Sequence, residues 1–351
     1  MRGIVVMEMM QYRPWAEDEV KSLINEVPNR KLLVLDLQLG GGCGNNCSYC
    51  DDSERSGYPC KINMDSVRKL IENGDIKAVY VCGIGEPLHC TNLRKLNELL
   101  EICHDKGIYV SMYTSLPHLS DNILKYIDDG TLNLLYKYDT ENINKAMRIY
   151  GQNREKALQY FINYLSLGNV IHNENGITNI GASIVPSSVN SSELKKLVNC
   201  CLVNGIFPMI GELENSGSCT SNYDQLKVDE KDLQKTKDWM QDKYSIDYKI
   251  PTCPATIAGI HVNNFGNVIV DEKTGLSCSW FWLEQPKMKA IGNINNMSYD
   301  EIVDRIFDYR DSRYQAVCDY VENMAEHPFG GCGGDAKSLL KTYTGIYQPG
   351  K

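Results

Sequence analysis

The sequence predicts an α/β fold built on a parallel sheet. Six β-rich runs alternate with five amphipathic helical stretches between residues 31 and 214, the rhythm of strands joined by right-handed helical crossovers. The 351-residue length leaves room for one α/β domain of roughly 200–250 residues and a smaller one beside it.

The first run, Lys31–Leu39, is almost continuously apolar and reads as a buried strand. Residues 64–74 read as a helix begun near Asp65 and stopped by Gly74. Strand 76–85 and helix 92–107 follow, then strand 108–115 and helix 120–130. Strand 132–139 leads into one long predicted helix over 141–168. Strand 177–186, helix 191–205 and strand 206–214 complete the series. In such sheets functional groups gather in loops at the C-terminal ends of the strands. No repeat of 20–50 residues exists beyond this rhythm.

The composition, 42% apolar and 23% charged, is that of a globular domain, and the formal charge is −9. Nucleic-acid binding relies on clustered Lys and Arg, and no such cluster occurs. The opening residues Met1–Met10 are too short for the apolar region of a signal sequence and carry Glu8 in their middle, so no export signal is expected. No apolar run reaches the roughly 18 residues of a membrane span. The expectation is a cytoplasmic protein with neither membrane nor nucleic-acid partner.

Fourteen cysteines are therefore unusual. Without an export signal they point to metal or cluster ligation mixed with buried thiols rather than to disulfides. Cys82, Cys90, Cys103, Cys200 and Cys201 lie in apolar or helical patterns and read as small core hydrophobes. Cys60 closes a polar loop and carries no assigned role.

Cys43, Cys47 and Cys50 are different. They follow the first strand, behind glycines that let backbone approach a bound group closely. Three thiolates at this spacing can hold three corners of a cubane iron–sulfur cluster, leaving the fourth iron open to an exogenous ligand. The alternative is a zinc site completed by a distant Cys or His. Gly83-Ile84-Gly85-Glu86-Pro87, after the second strand, removes side chains where a ligand meets backbone, and Pro87 biases Glu86 toward extended geometry.

With these two motifs the sequence resembles the radical S-adenosylmethionine (SAM) superfamily over about residues 30–245. The resemblance implies a partial (β/α)6 TIM-like barrel. It implies a [4Fe–4S] cluster on Cys43, Cys47 and Cys50 with an open site for SAM, whose amino group the Gly85-Glu86-Pro87 turn holds. Tyr49 occupies the family's aromatic position beside adenine, Ser115 stands near SAM, Asp139 at its ribose and Arg148 at its carboxylate. Ile84 replaces the first glycine of the family's GGEP, and Lys137 replaces the usual serine two residues before Asp139. The implied chemistry is reductive cleavage of SAM to a 5′-deoxyadenosyl radical that abstracts hydrogen from an unactivated C–H bond. A flavodoxin- or ferredoxin-type protein would supply the electron.

Residues 246–351 form the predicted second domain, with residues 1–29 as an N-terminal extension. The second domain opens with Cys253, and a hairpin through Asn263–Gly266 follows. Cys278, Cys318 and Cys332 come after it. This order resembles the SPASM/twitch extension of the same superfamily, implying a small hairpin-and-helix domain. It implies one auxiliary [4Fe–4S] cluster on Cys253, Cys278 and Cys332 with Cys318 as fourth ligand. Scattered buried thiols and a structural zinc are the alternatives.

The expected reaction is oxidation of a small polar substrate of aminocyclitol or sugar type through the auxiliary cluster. A ribosomal-peptide maturase or epimerase is the alternative enzyme, and an iron–sulfur or zinc protein without catalysis the alternative class. Glu212, with Glu214, follows the sixth strand and either faces a substrate amine or hydroxyl or belongs to a solvated loop. Cys219, in small polar surroundings, is the candidate hydrogen donor should the reaction be epimerisation, and otherwise an exposed loop thiol.

Overall fold

The computed structural model describes residues 10–50, 58–211, 213–244, 253–277, 287–323 and 336–349. In chain order the strands are β1 (Gln11–Tyr12), β2 (Val34–Leu37), β3 (Ala78–Val81), β4 (Tyr109–Thr114), β5 (Leu132–Lys137) and β6 (Asn173–Glu174). They continue with β7 (Ile177–Thr178), β8 (Ile180–Ile184), β9 (Phe207–Ile210), β10 (Gly259–Val262), β11 (Asn267–Asp271) and β12 (Met288–Asn293). The helices are α1 (Glu17–Asn25), α2 (Met64–Asn73), α3 (Leu93–Asp105), α4 (Asp121–Asp128), α5 (Ile143–Tyr150), α6 (Arg154–Ser166) and α7 (Leu194–Val203). After them come α8 (Tyr223–Leu226), α9 (Glu230–Tyr244), α10 (Ala255–Ala258), α11 (Tyr299–Asp311), α12 (Tyr314–Asn323) and α13 (Ala336–Ile346).

Nine strands form one sheet in the order β12-β11-β10-β2-β3-β4-β5-β8-β9. The six expected barrel strands, β2, β3, β4, β5, β8 and β9, are all mutually parallel. The C-terminal hairpin does not form a sheet of its own. β10 pairs parallel to β2, and β11 and β12 extend the edge antiparallel. Strands β1, β7 and β6 make a separate three-stranded sheet.

Local sequence sets the helix starts. The side chains of Asn63, Ser120, Asn142 and Asn153 each accept a backbone N–H in the first turn of α2, α4, α5 and α6, satisfying donors that have no partner inside the helix. Ser298 and Glu301 form a capping box on α11.

The expected single helix over 141–168 is two helices, α5 and α6. Gly151 breaks it with φ +59°, and a Cβ there would lie 2.3 Å from the Asn46 carbonyl oxygen. The break lets the end of α5 meet the cysteine loop.

In-register pairing places His261, Asp36, Tyr80, Ser111 and Asn133 side by side on one face of the sheet. The N-terminal segment packs on this face. The Tyr12 hydroxyl lies 3.0 Å from Ser111 Oγ, and the Tyr80 hydroxyl donates to the Pro14 carbonyl at 2.9 Å. At the C-terminal edge, buried Arg310 of α11 donates to the carbonyls of Gly275 and Ile257 and to Ser277 Oγ. It gathers the chain on either side of the hairpin.

Candidate active site

The loop carrying Cys43, Cys47 and Cys50 leaves the C-terminal end of β2 and is held from two sides. Asn46 and Ser48 donate their N–H groups to the carbonyls of Tyr150 and Ile149, the last residues of α5. Ser218 Oγ donates to the carbonyls of Cys47 and Cys50, at 3.0 and 3.1 Å. Gln152, just past the helix break, donates to the Gly44 carbonyl and to Asn45 Oδ1, which also accepts from Tyr160. Cys47 is buried, while Cys43 and Cys50 are half-buried. Burial pushes the Cys43 thiol up and the Cys47 thiol to about 12, with the Lys137 ammonium opposing both. A bound metal overcomes such a cost by favouring the thiolate. Among the described residues no three His, Cys, Asp or Glu side chains are drawn together as a metal site.

The Gly83–Pro87 turn packs backbone to backbone against this loop. Gly85 has φ +81°, and a Cβ on it would lie 2.8 Å from the Gly40 carbonyl oxygen and 2.9 Å from that of Gly41. Asn92 Nδ2 bridges the Gly40 and Glu86 carbonyls at 2.7 and 2.9 Å. The Glu86 N–H donates to the Gly42 carbonyl. Its buried carboxylate accepts from Ser115 N–H, Ser115 Oγ, Thr114 Oγ1 and Leu88 N–H. Four donors hold this side chain inside the protein, so its work is to join the turn to the end of β4. Pro87 is buried beside it.

Tyr49 is buried, and its hydroxyl donates to Asp139 Oδ2. Asp139 is wholly buried, its other oxygen accepting from the Val185 N–H at 2.7 Å. Its carboxylate thus anchors Tyr49 and the segment after β8, where a ribose contact was expected. Burial pushes the Asp139 carboxyl above its ordinary value, against the pull of Lys137 and Tyr49. Lys137 Nζ stands 4.6 Å from the Tyr49 ring centroid. Arg148, expected at a carboxylate, is exposed on α5.

A narrow, solvent-open cleft lies beside these groups. Ser115, Lys137, Tyr138, Tyr150, Tyr160 and Tyr164 are among its walls. Aromatic walls with a few polar groups suit a small ligand.

The remaining expected residues are dispersed. Cys219 is fully buried and packs in an apolar cluster with Cys47, Tyr49, Ile149 and Tyr150. This corrects the expectation of an exposed polar loop, because the turn at 217–219 folds under the cysteine loop. Glu212, Cys278 and Cys332 lie outside the described residues. Cys253 stands just before α10 and Cys318 within α12, both half-buried. Ser277, one residue before Cys278, donates its N–H to the Thr256 carbonyl. Cys90, read as a core thiol, is exposed, because it sits in the turn before α3 rather than within a packed element. Cys82, read the same way, is half-buried and donates to Asp36 Oδ1 at 3.1 Å, while Asp36 Oδ2 lies 2.8 Å from His261 Nδ1. Sequence reading missed this group because its members come from three separate stretches of the chain. Lys137 was visible only as a departure from the family pattern.

The Radical SAM superfamily model matches residues 37–178, the part of the chain with both the cysteine loop and the Gly83–Pro87 turn. No curated protein matches the chain. Among solved structures, Streptococcus suis SuiB bound to S-adenosylmethionine has a TM-score of 0.57 at 13% identity, covering 92% of this chain and 77% of that one. SuiB bound to precursor peptide SuiA has a TM-score of 0.57 at 14% identity, covering 94% and 78%. Native anSMEcpe with bound AdoMet has a TM-score of 0.54 at 16% identity, covering 80% and 84%. These likenesses establish the fold, an α/β architecture on a mostly parallel nine-stranded sheet consistent with a partial TIM barrel. Among the described residues no helix is long and apolar enough to cross a membrane.

Proposed function

We propose that the chain is a radical SAM enzyme with its cluster on Cys43, Cys47 and Cys50. The observation that carries this reading is the close packing of the three-cysteine loop against the Gly83–Pro87 turn, at positions where a Cβ on Gly85 has no room. The donor set fits the group: three soft thiols suit an iron–sulfur cluster, and an aromatic-walled cleft with a few polar groups lies beside them. When bound, cluster and SAM together supply a radical able to take hydrogen from an unactivated C–H bond.

The chain's own residues would do the positioning. Gly85, Glu86 and Pro87 offer backbone to the SAM amino group, with Glu86 fixed by Thr114 and Ser115. Tyr49, oriented by Asp139, borders the cluster loop, and the tyrosines of the cleft exclude water from the reacting groups. Ser115 and Arg148 remain candidate contacts for SAM, Ser115 from the cleft wall and Arg148 through movement of its exposed side chain.

For the substrate, we favour a peptide over the small aminocyclitol or sugar suggested by the sequence. The support is the likeness over more than nine-tenths of this chain to SuiB bound to its precursor peptide. A second cluster on Cys253, Cys278, Cys318 and Cys332 would accept an electron in a net oxidation, with a flavodoxin- or ferredoxin-type protein as external donor. A cytoplasmic location accords with such reduced thiols.

The test is anaerobic purification followed by iron and sulfide analysis, then reduction with SAM and assay for 5′-deoxyadenosine. A brown protein that forms it supports the reading; a colourless zinc protein overturns it. Co-expression with short peptides encoded beside its gene, followed by mass spectrometry for loss of two hydrogens, separates peptide from sugar substrates.

A further inference from the structure

We propose that Lys137 sets the reduction potential of the cluster held by Cys43, Cys47 and Cys50, acting as a fixed positive charge beside it. This rests on the reading above that the three thiols hold an iron–sulfur cluster.

Lys137 ends β5 at the edge of the sheet where the cysteine loop lies. Its ammonium stands 4.6 Å from the centroid of the Tyr49 ring, a cation–π distance. Tyr49 is the residue immediately before Cys50 and is itself anchored through its hydroxyl to Asp139. The strand end and the Tyr49 ring, itself anchored by Asp139, therefore position the ammonium. Against the cost of its burial, Cys47, Asp139, Cys50 and Cys43 all favour the charged form of the ammonium electrostatically. Arg148, the other cation expected here, is exposed on α5.

A fixed charge beside a cluster has a defined effect. Reduction adds one electron, so the cluster and its thiolates become more negative by one unit. A nearby ammonium stabilises the reduced form more than the oxidised one and raises the potential. The half-buried setting keeps solvent from screening that interaction fully. A serine at this position would offer a hydrogen bond but no charge. Lys137 thus makes the first electron easier to accept, and it acts through charge rather than by contact with substrate.

The test compares the wild type with Lys137→Arg, Lys137→Gln and Lys137→Met, reconstituted anaerobically and titrated potentiometrically with electron paramagnetic resonance detection. The signal that changes on adding SAM identifies the loop's cluster. Both uncharged variants should have a more negative midpoint. At the wild-type midpoint their oxidised-to-reduced ratio should rise about tenfold, equivalent to about 59 mV for a one-electron couple. Lys137→Arg should stay near the wild type. Equal potentials in all four proteins would overturn the proposal, as would Lys137→Arg shifting as far as Lys137→Gln. Cluster loss in both uncharged variants, with retention in Lys137→Arg, would replace tuning by a role in assembly. A wild-type protein that takes up no iron would instead sink the cluster reading itself.

Discussion

Ser115 donates both its backbone N–H and its hydroxyl to one carboxylate oxygen of Glu86, at 2.7 and 2.6 Å, across a separation of 29 residues. The other oxygen takes Thr114 Oγ1 and the Leu88 N–H. One buried side chain therefore ties the end of β4 to the turn that adjoins the cysteine loop. In Glu86→Gln an amide NH2 replaces one acceptor and meets donors. We expect a stability loss of about 1.5–3 kcal/mol, since hydrogen bonds to a charged group contribute in that range. SAM affinity should weaken as well. Chemical denaturation and calorimetric titration with SAM check the two effects, and a variant unchanged in both would contradict the coupling.

Gly151 is a second residue on which the placing of the cysteine loop depends. Gly151→Ala must place a Cβ against the Asn46 carbonyl while keeping φ near +59°. Backbone strain of this kind costs about 1–3 kcal/mol. Relief comes by moving the loop that carries the cysteines, so the expected result is lower stability and less iron per chain after reconstitution. Full iron loading in a destabilised variant would show that the loop tolerates the shift.

These two residues mark how far the sequence was legible. The six parallel strands, the three cysteines and the Gly83–Pro87 turn were readable because each is a local pattern of residue types. The division of 141–168 into two helices was readable in principle, since Gly151 followed by Asn153 is a stop and a cap in succession. The apolar spacing continued across the break and outweighed those signals. Contacts such as Tyr49 with Asp139, 90 residues apart, or Asp36 with His261, depend on strand order in space. Nothing local in the sequence encodes them. The same reason misplaced Cys219, whose small polar neighbours in sequence are not its neighbours in the fold.

Arg310 tests the attachment of the C-terminal segment. It is buried, and it donates to two carbonyls and a hydroxyl at 2.6–3.0 Å. In Arg310→Lys a single ammonium cannot reproduce the planar fork of the guanidinium, so buried acceptors lose their donors. The expected loss is about 2–4 kcal/mol, from the penalty for unsatisfied buried polar groups. If these contacts also support an auxiliary cluster, iron per chain should fall while SAM cleavage by the first cluster persists. Thermal unfolding and iron analysis on the same preparation separate the two consequences.

The cysteines divide into two classes that substitution can distinguish. Alanine at Cys43, Cys47 or Cys50 should abolish SAM cleavage, because two thiolates no longer hold three corners of the cluster. Alanine at Cys253 or Cys318 should lower iron content and leave 5′-deoxyadenosine formation in place, uncoupled from product. Undiminished cleavage in all three loop variants would end the radical SAM assignment. Unchanged iron in both C-terminal variants would make those thiols ordinary half-buried cysteines.

Cys219 presents the sharpest contrast between chemical suitability and position. A thiol is a natural hydrogen donor to a substrate radical, and the segment following the sixth barrel strand is a reasonable place for one. In the fold, however, Cys219 is fully buried behind the cysteine loop, packed with Cys47, Tyr49 and Ile149. A donor must reach the reacting carbon, and a thiol enclosed by apolar side chains does so only if the loop opens. We therefore expect Cys219→Ala to behave as a packing variant: stability lower by about 1 kcal/mol from the small void, with iron content and SAM cleavage retained. Cys219→Ser should be at least as destabilised, because it buries a hydroxyl in place of a weakly polar thiol. Denaturation curves measured beside 5′-deoxyadenosine formation decide the matter. Normal stability and iron in Cys219→Ala, together with lost product formation in the presence of substrate, would return Cys219 to the reaction.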